Sequence, residues 1–329
     1  MTLEPSYVLE VKNLSVYFKV EVKKRVLFSK MGSLKAVDDV SFKLERGKTL
    51  GVVGESGCGK TTLTRAILKL NVIKSGSILY NGLDLAKLDN KNFKKYRRDI
   101  QIVFQDPLAS LNPRMTIGNI IAEPLKNFYP KMSSSQRKKR VVDIMKKVGI
   151  AKELINGYPH NFSGGQCQRI GIARALIIEP KLLICDEPVS ALDVSIQAQI
   201  INLIKDLQKE LDLSIVFISH DLSVIKYISD DILVMYLGNA IERSKKEDLY
   251  KNPLHPYTKA LLSAIPILDP KKQKKRRSIL LKDDLPSPID PPKNCPFSSR
   301  CEDVMQICYD KKPFSKEYTK GHEVACFLY

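Results

Sequence analysis

The residues Gly54-Glu55-Ser56-Gly57-Cys58-Gly59-Lys60-Thr61, followed by Thr62, are a set suited to holding phosphate. The glycines let backbone N–H groups curl around an anion at the positive end of a helix, Lys60 can reach β and γ phosphates, and the Thr61 hydroxyl can ligate Mg²⁺. A chance glycine-rich turn has the same composition. Here, however, an apolar strand, Thr49 to Val53, leads in and a helical pattern, Lys60 to Leu70, leads out. A second set is Leu182-Leu183-Ile184-Cys185-Asp186-Glu187, an apolar strand ending in two carboxylates. Asp186 can hold Mg²⁺ through water, and Glu187 can polarise or orient an attacking water in line with a γ phosphate. Taken alone, an acid pair at a strand end is as common in a solvated turn. A third set, Ser163-Gly164-Gly165-Gln166, precedes a helical stretch, where its hydroxyl and N–H groups suit either an anion or a helix cap.

These groups need an α/β scaffold to hold them. Besides Thr49 to Val53, strands are predicted at Tyr7 to Phe18, near Leu34 to Leu44, and at Ile100 to Phe104, Lys181 to Cys185, Ser214 to Ile218 and Ile232 to Met235, with helical stretches between the later ones. The polar, basic segment Lys19 to Ser33 reads as a surface loop. Ile117 to Ile150 and Gln166 to Ile178 carry apolar residues at helical spacing, which predicts a helical subdomain inserted into the sheet. Past Pro266 the run KKQKKRR and the proline-rich LPSPIDPP read as a linker.

With 329 residues, 43% hydrophobic and 27% charged, the chain has the composition of a folded globular protein. Its longest apolar stretches fall well short of the ~20 residues of a membrane helix. The start MTLEPSYVLEV has neither the basic region nor the apolar run of a secretory signal, so a cytosolic chain is expected. The net charge of +18 favours acidic partners (nucleic acid, nucleotide or an anionic membrane face) without selecting one. In a reducing compartment the seven cysteines are expected as free thiols or metal ligands. Cys185 reads as core. Cys58, near a lysine and a helix start, reads either as an oxidation-sensitive thiol or as a small tolerated residue, and Cys167 as the latter.

Together, and in this order, the motifs resemble those of the ATP-binding subunits of ABC transporters over essentially the whole chain. Gln105 in FQDP matches the Q-loop, FSGGQ matches the signature with Phe162 in place of the usual leucine, Ser190-Ala191-Leu192-Asp193 matches the D-loop, and His220 after IVFIS matches the switch histidine. The resemblance implies a P-loop NTPase of α/β class: a RecA-like core, an antiparallel β subdomain and a helical subdomain (about 106–178) within residues 1–266, then a linker over 267–294 and a small Cys-rich tail over 295–329. It also implies that two subunits clamp two ATP molecules head to tail. Gly54 to Thr62, Gln105, Asp186, Glu187 and His220 would then serve the chain's own ATP, with Lys60, Gln105, Glu187 and His220 catalytic and Thr61, Gln105 and Asp186 around Mg²⁺. Ser163, Gly164, Gly165, Gln166 and Asp193 would serve the partner's ATP. An aromatic residue should stack on adenine before the loop, and register against the family favours Phe18 over Tyr17.

Within ABC proteins the stretches FQDPLASLNPRMTIGNIIAEPL, YPHNFSGGQCQRIGIARALI, CDEPVSALDVSIQAQI and NPLHPYTKALLSAIP, with LPSPIDPP, resemble the bacterial oligopeptide and dipeptide permeases, in particular the F-type subunit. This implies ATP-driven peptide uptake at the cytoplasmic face of the inner membrane. The implied partners are a related D-type ATP-binding subunit, two transmembrane subunits and an extracytoplasmic peptide-binding protein, with no direct contact to nucleic acid. A motor for another substrate such as nickel is the alternative within the family; a nucleic-acid-handling ABC ATPase is the alternative outside it, and no long coiled coil or tandem domain supports it. Glu187 and His220 argue against a non-hydrolytic regulatory subunit. The tail, Cys295-x5-Cys301-x6-Cys308-x17-Cys326, can supply four thiolates to one metal centre. The spacing is unlike a zinc ribbon, and the family's tail is associated with a [4Fe-4S] cluster, zinc being the alternative. Because the ATPase motifs precede the linker, the tail is expected to be separable from nucleotide binding.

Overall fold

The computed structural model of the chain describes residues 6–24, 29–265, 286–291 and 293–329. In chain order the strands are β1 (Tyr7–Lys24), β2 (Ser29–Glu45), β3 (Thr49–Val53), β4 (Ser75–Tyr80), β5 (Leu83–Asp84), β6 (Ile100–Val103), β7 (Leu182–Asp186), β8 (Ser214–Ile218), β9 (Asp231–Tyr236), β10 (Asn239–Lys245), β11 (Lys316–Thr319) and β12 (His322–Val324). The helices are α1 (Lys60–Ile67), α2 (Asn90–Phe93), α3 (Ile117–Phe128), α4 (Ser134–Lys147), α5 (Gly164–Leu176), α6 (Val194–Leu211), α7 (Leu222–Ile228), α8 (Lys246–Lys251), α9 (Pro256–Ser263) and α10 (Gln306–Asp310). They divide between two compact units: residues 1–44, 50–87 and 220–329 in one, residues 45–49 and 88–219 in the other.

The first unit holds an antiparallel sheet in the order β2-β1-β4-β5 and a second set of strands in the order β11-β12-β10-β9-β3. There β3 and β9 run parallel, with Leu50 opposite Asp231 and Val53 opposite Val234, while β10 runs antiparallel to β9 and to β12. β3 is buried along its whole length, as an apolar parallel strand has to be.

The second unit contains β6, β7 and β8, paired in parallel, with β7 and β8 buried throughout. The helices α3, α4 and α5 form the expected helical region. Thr116 caps α3, while Ser133 with Gln136 closes a capping box on α4, so the polar residues before each apolar periodicity set the helix starts. Among the described residues no helix is long and apolar enough to cross a membrane.

Two expectations differ from what is observed. The segment Lys19 to Ser33, read as a loop, continues β1 to Lys24 and opens β2 at Ser29, with residues 25–28 outside the described part. Its alternation of Val20 and Val22 with Lys19, Glu21 and Lys23 is the period-two signal of a strand, hidden by high charge. The tail, read as separately organised, lies in the first unit: β12 pairs with β10 at Glu242–Val324 and Arg243–Glu323. Its apolar residues are too sparse to form a core of their own, and strand addition lets them share an existing one. The basic run KKQKKRR and most of the 267–294 linker lie outside the described residues. Where the description resumes, Ile289 bridges to Leu34 and the Asp290 N–H donates to the Ser33 carbonyl at 2.9 Å.

Candidate active site

The phosphate loop leaves β3 through Gly54 (φ 157°), Gly57 (φ 78°) and Gly59 (φ 102°) before α1 begins at Lys60. A side chain at Gly59 would place its Cβ 2.0 Å from the Ala36 carbonyl oxygen, so only glycine closes this turn. The Gly238 N–H donates to the Cys58 carbonyl at 2.9 Å, and the Lys60 Nζ donates to the carbonyls of Gly54 (2.8 Å) and Glu55 (3.0 Å). Lys60 is thus folded back on the loop, buried at 4% exposure, and the first turn of α1 holds no acidic residue to offset its positive end. Thr61 and Thr62 stand half-buried in that turn, and Ser56 is exposed. Cys58 is fully buried, and this burial raises its thiol pKa against the opposing charge of Lys60. The oxidation-sensitive reading of Cys58 therefore gives way to that of a small packed residue.

Two residues not anticipated from the sequence hold this loop, and a third braces one of them. The Tyr257 hydroxyl accepts from the Glu55 N–H at 2.9 Å, and the Arg300 Nη1 donates to both Glu55 carboxylate oxygens at 2.9 and 3.2 Å. His255 caps α9 by accepting from the Tyr257 N–H at 3.0 Å through Nδ1, with Pro256 at the first helical position. The string HPYT carries a helix-start signal, a cap followed by proline, that sequence reading could have used; nothing local marks Arg300.

In the second unit β7 ends at Asp186, which is buried, and Glu187 follows with φ 47°, its N–H donating to Ile218 at 3.1 Å. This left-handed backbone turns the Glu187 side chain out of the strand, where it accepts from the Gln105 amide at 3.2 Å. Gln105 and Glu187, 82 residues apart, are thereby brought together beside Asp186. Cys185 lies wholly in the core, its thiol pKa raised by burial.

Ser163 caps α5, accepting from the Gln166 N–H at 3.3 Å while Gln166 Oε1 accepts from the Ser163 N–H at 3.0 Å. The capping and anion-binding readings of this motif are compatible, since a capped start still presents the positive end of α5. A Cβ on Gly165 would meet Ile196 Cγ2 of α6 at 2.5 Å, whereas one on Gly164 would meet Leu192 only at 3.5 Å. Asp193, at the start of α6, is exposed, and so is His220 before α7.

On β1, Tyr17 and Phe18 are half-buried and point to opposite faces. Tyr17 donates to Asp38 and lies under the Lys74 ammonium, 4.0 Å from the ring centroid. Burial first, then Asp38, pushes its phenol up to about 12.

The four tail cysteines are free. Every pair among Cys295, Cys301, Cys308 and Cys326 is close enough to interact electrostatically, and burial pushes the Cys295 and Cys301 thiols up to about 11. Among the described residues no group of three or more His, Cys, Asp or Glu is placed to hold a metal ion.

Residues 37–190 match the family model for ABC transporters, and residues 241–308 match that for the oligopeptide/dipeptide transporter C-terminal region. The oligopeptide transport ATP-binding protein OppF of Haemophilus influenzae is 58% identical over 97% of this chain and 96% of that protein. The chain belongs to the ATP-binding subunits of the oligopeptide/dipeptide ABC transporter family. AppF of Bacillus subtilis, an oligopeptide transport ATP-binding protein, is 50% identical over 98% of this chain and 97% of its own length. Among solved structures, the dimeric ATP-binding cassette MJ0796 in a post-hydrolysis state bound to ADP and Pi superposes with TM-score 0.64 at 28% identity, covering 72% of this chain and 98% of that one. This ATP-binding subunit therefore has the ABC ATPase fold and is an ATPase.

Proposed function

We propose that this subunit hydrolyses ATP to drive uptake of oligopeptides or dipeptides, docked on the cytoplasmic face of a bacterial inner membrane. Its partners in this reading are two transmembrane subunits, a second, non-identical ATP-binding subunit and, through the complex, an extracytoplasmic peptide-binding protein. The names of its relatives support the substrate class. Lys60 takes the phosphates, Thr61, Gln105 and Asp186 hold Mg²⁺, Phe18 stacks on adenine, His220 contacts the γ phosphate, and Ser163, Gly164, Gly165, Gln166 and Asp193 serve the partner's ATP. The observation that carries the reaction is the Gln105 amide on the Glu187 carboxylate beside buried Asp186. A carboxylate offers several acceptor positions, so one that takes the Gln105 amide can also accept from a water, as γ-phosphoryl transfer to water requires.

The test is Glu187→Gln in a complex whose other ATP site is disabled. ATP binding should stay nearly intact while turnover falls about 10²-fold or more, the scale of a water-orienting group; unchanged steady-state turnover would overturn the assignment.

Cys295, Cys301, Cys308 and Cys326 would hold a [4Fe-4S] cluster. Supporting this is the mutual proximity of the four buried or half-buried thiols. When bound, the cluster supplies metal–thiolate bonds that fix the tail.

A further inference from the structure

Between Cys295 and Cys301 the chain folds into tight turns, with the Ser298 N–H donating to Cys295 at 3.1 Å and the Arg300 N–H donating to Phe297 at 3.0 Å. The Cys295 N–H donates in turn to the Cys308 carbonyl at 3.0 Å. This short turn carries two side chains, Phe297 and Arg300, that reach the phosphate loop and its supports. Phe297, 2% exposed, lies edge-on to Tyr236 (5.3 Å between centroids) and to Tyr257 (5.5 Å), the residue whose hydroxyl accepts from the Glu55 N–H. The Arg300 side chain, 7% exposed, spans from the Glu55 carboxylate to the Tyr236 hydroxyl at 3.4 Å, its guanidinium 5.8 Å from the Tyr236 ring centre.

Glu55 is the one acidic residue of the phosphate loop. A carboxylate in a loop that receives a triphosphate is a liability. Left unpaired it repels the incoming charge and competes for Lys60, whose Nζ already lies on the Glu55 carbonyl. A guanidinium on both of its oxygens cancels the charge and fixes its direction, with the arginine side chain 7% and the glutamate side chain 24% exposed.

We propose that Arg300 is a positioning residue of the phosphate loop: it neutralises and pins Glu55, so that the Cys295–Cys301 turn sets the affinity of this chain for ATP. The proposal rests on the reading of residues 54–62 as the nucleotide phosphate site. It replaces the expectation that the tail is separable from nucleotide binding.

The test is calorimetric titration of the purified full chain with MgATP at fixed ionic strength. Arg300→Ala should raise Kd about tenfold or more, a modest share of what losing one partner of a desolvated charge pair does. Arg300→Lys, which keeps the charge and loses the guanidinium plane, should hold the loss to about threefold. The decisive variant is Arg300→Ala with Glu55→Gln, which removes the uncompensated charge and should return Kd to within about threefold of the parent. A purely structural arginine predicts no such rescue. Arg300→Ala binding within about twofold of the parent, or a double variant no better than the single, overturns the proposal. Should Arg300→Ala fail to fold, Arg300→Met takes its place in both the single and the double variant, with the same expected and overturning results. Lys60→Ala runs alongside. Its loss of binding shows that the phosphate site itself is read correctly, and its binding like the parent overturns that reading together with the proposal.

Discussion

Lowering the pH from about 7 to about 5 should destabilise this protein by about 2 kcal/mol through His255 alone. The imidazole is wholly buried, and burial pushes its pKa down from 6.5 to about 4, with the Glu242 charge opposing and Lys259 reinforcing the shift. Its Nδ1 is an acceptor for the Tyr257 N–H, a role the protonated ring cannot fill, and Glu242 is already occupied by the N–H groups of Leu254 and His255 and by the His322 ring. Because the folded pKa lies below the unfolded one, the unfolded chain binds more protons between the two. The contribution is therefore fully present above about pH 6.5 and is lost as the pH falls toward about 4. At about 1.4 kcal/mol per pKa unit the whole loss is about 3 kcal/mol, of which about 2 is reached at pH 5. Urea unfolding at both pH values, for the parent and for His255→Asn, isolates the effect, since asparagine caps a helix without titrating. The parent should lose about 2 kcal/mol more than the variant on acidification. An equal loss in both would refute the reasoning, because the pH dependence would then come from other groups.

The isolated chain should be a poor ATPase whose activity appears on adding a related ATP-binding subunit; full activity of a dilute monomer, independent of concentration, would contradict the split site. Anaerobic purification should yield about four irons per chain with matching sulfide; stoichiometric zinc without iron would replace the cluster by a zinc site, and no metal with all four tail thiols alkylated in the folded protein would end the idea. In the signature motif, Gly165→Ala should destabilise by about 1–3 kcal/mol because its Cβ meets Ile196 at 2.5 Å, whereas Gly164→Ala, with 3.5 Å to Leu192, should fall within about 1 kcal/mol of the parent. Equal unfolding midpoints for the two variants would show that α6 yields to the extra methyl.

What the sequence alone determined about this protein is what consecutive residues can encode. The run of apolar residues into Gly54 and the helix pattern after Lys60 mark strand, loop and helix, because φ above zero at Gly57 and Gly59 is a local steric demand. Ser163 and Gln166 announce the start of α5 because a capping box spans a single turn. The buried strands β7 and β8 show as continuous apolar runs for the same reason. The β1–β2 ribbon lay at the margin, its alternation present but masked by charge. Only the tertiary structure decided which residues hold the phosphate loop. Glu55 meets the Tyr257 hydroxyl 202 positions away and the Arg300 guanidinium 245 positions away, and β10 gains β12 as a neighbour from the tail. Nothing in the residues around Arg300 specifies that its partner is a carboxylate in the loop after β3. Such a contact follows from the registry of strands and turns far apart in sequence, and a charged side chain reads as solvated surface until that packing takes it out of water.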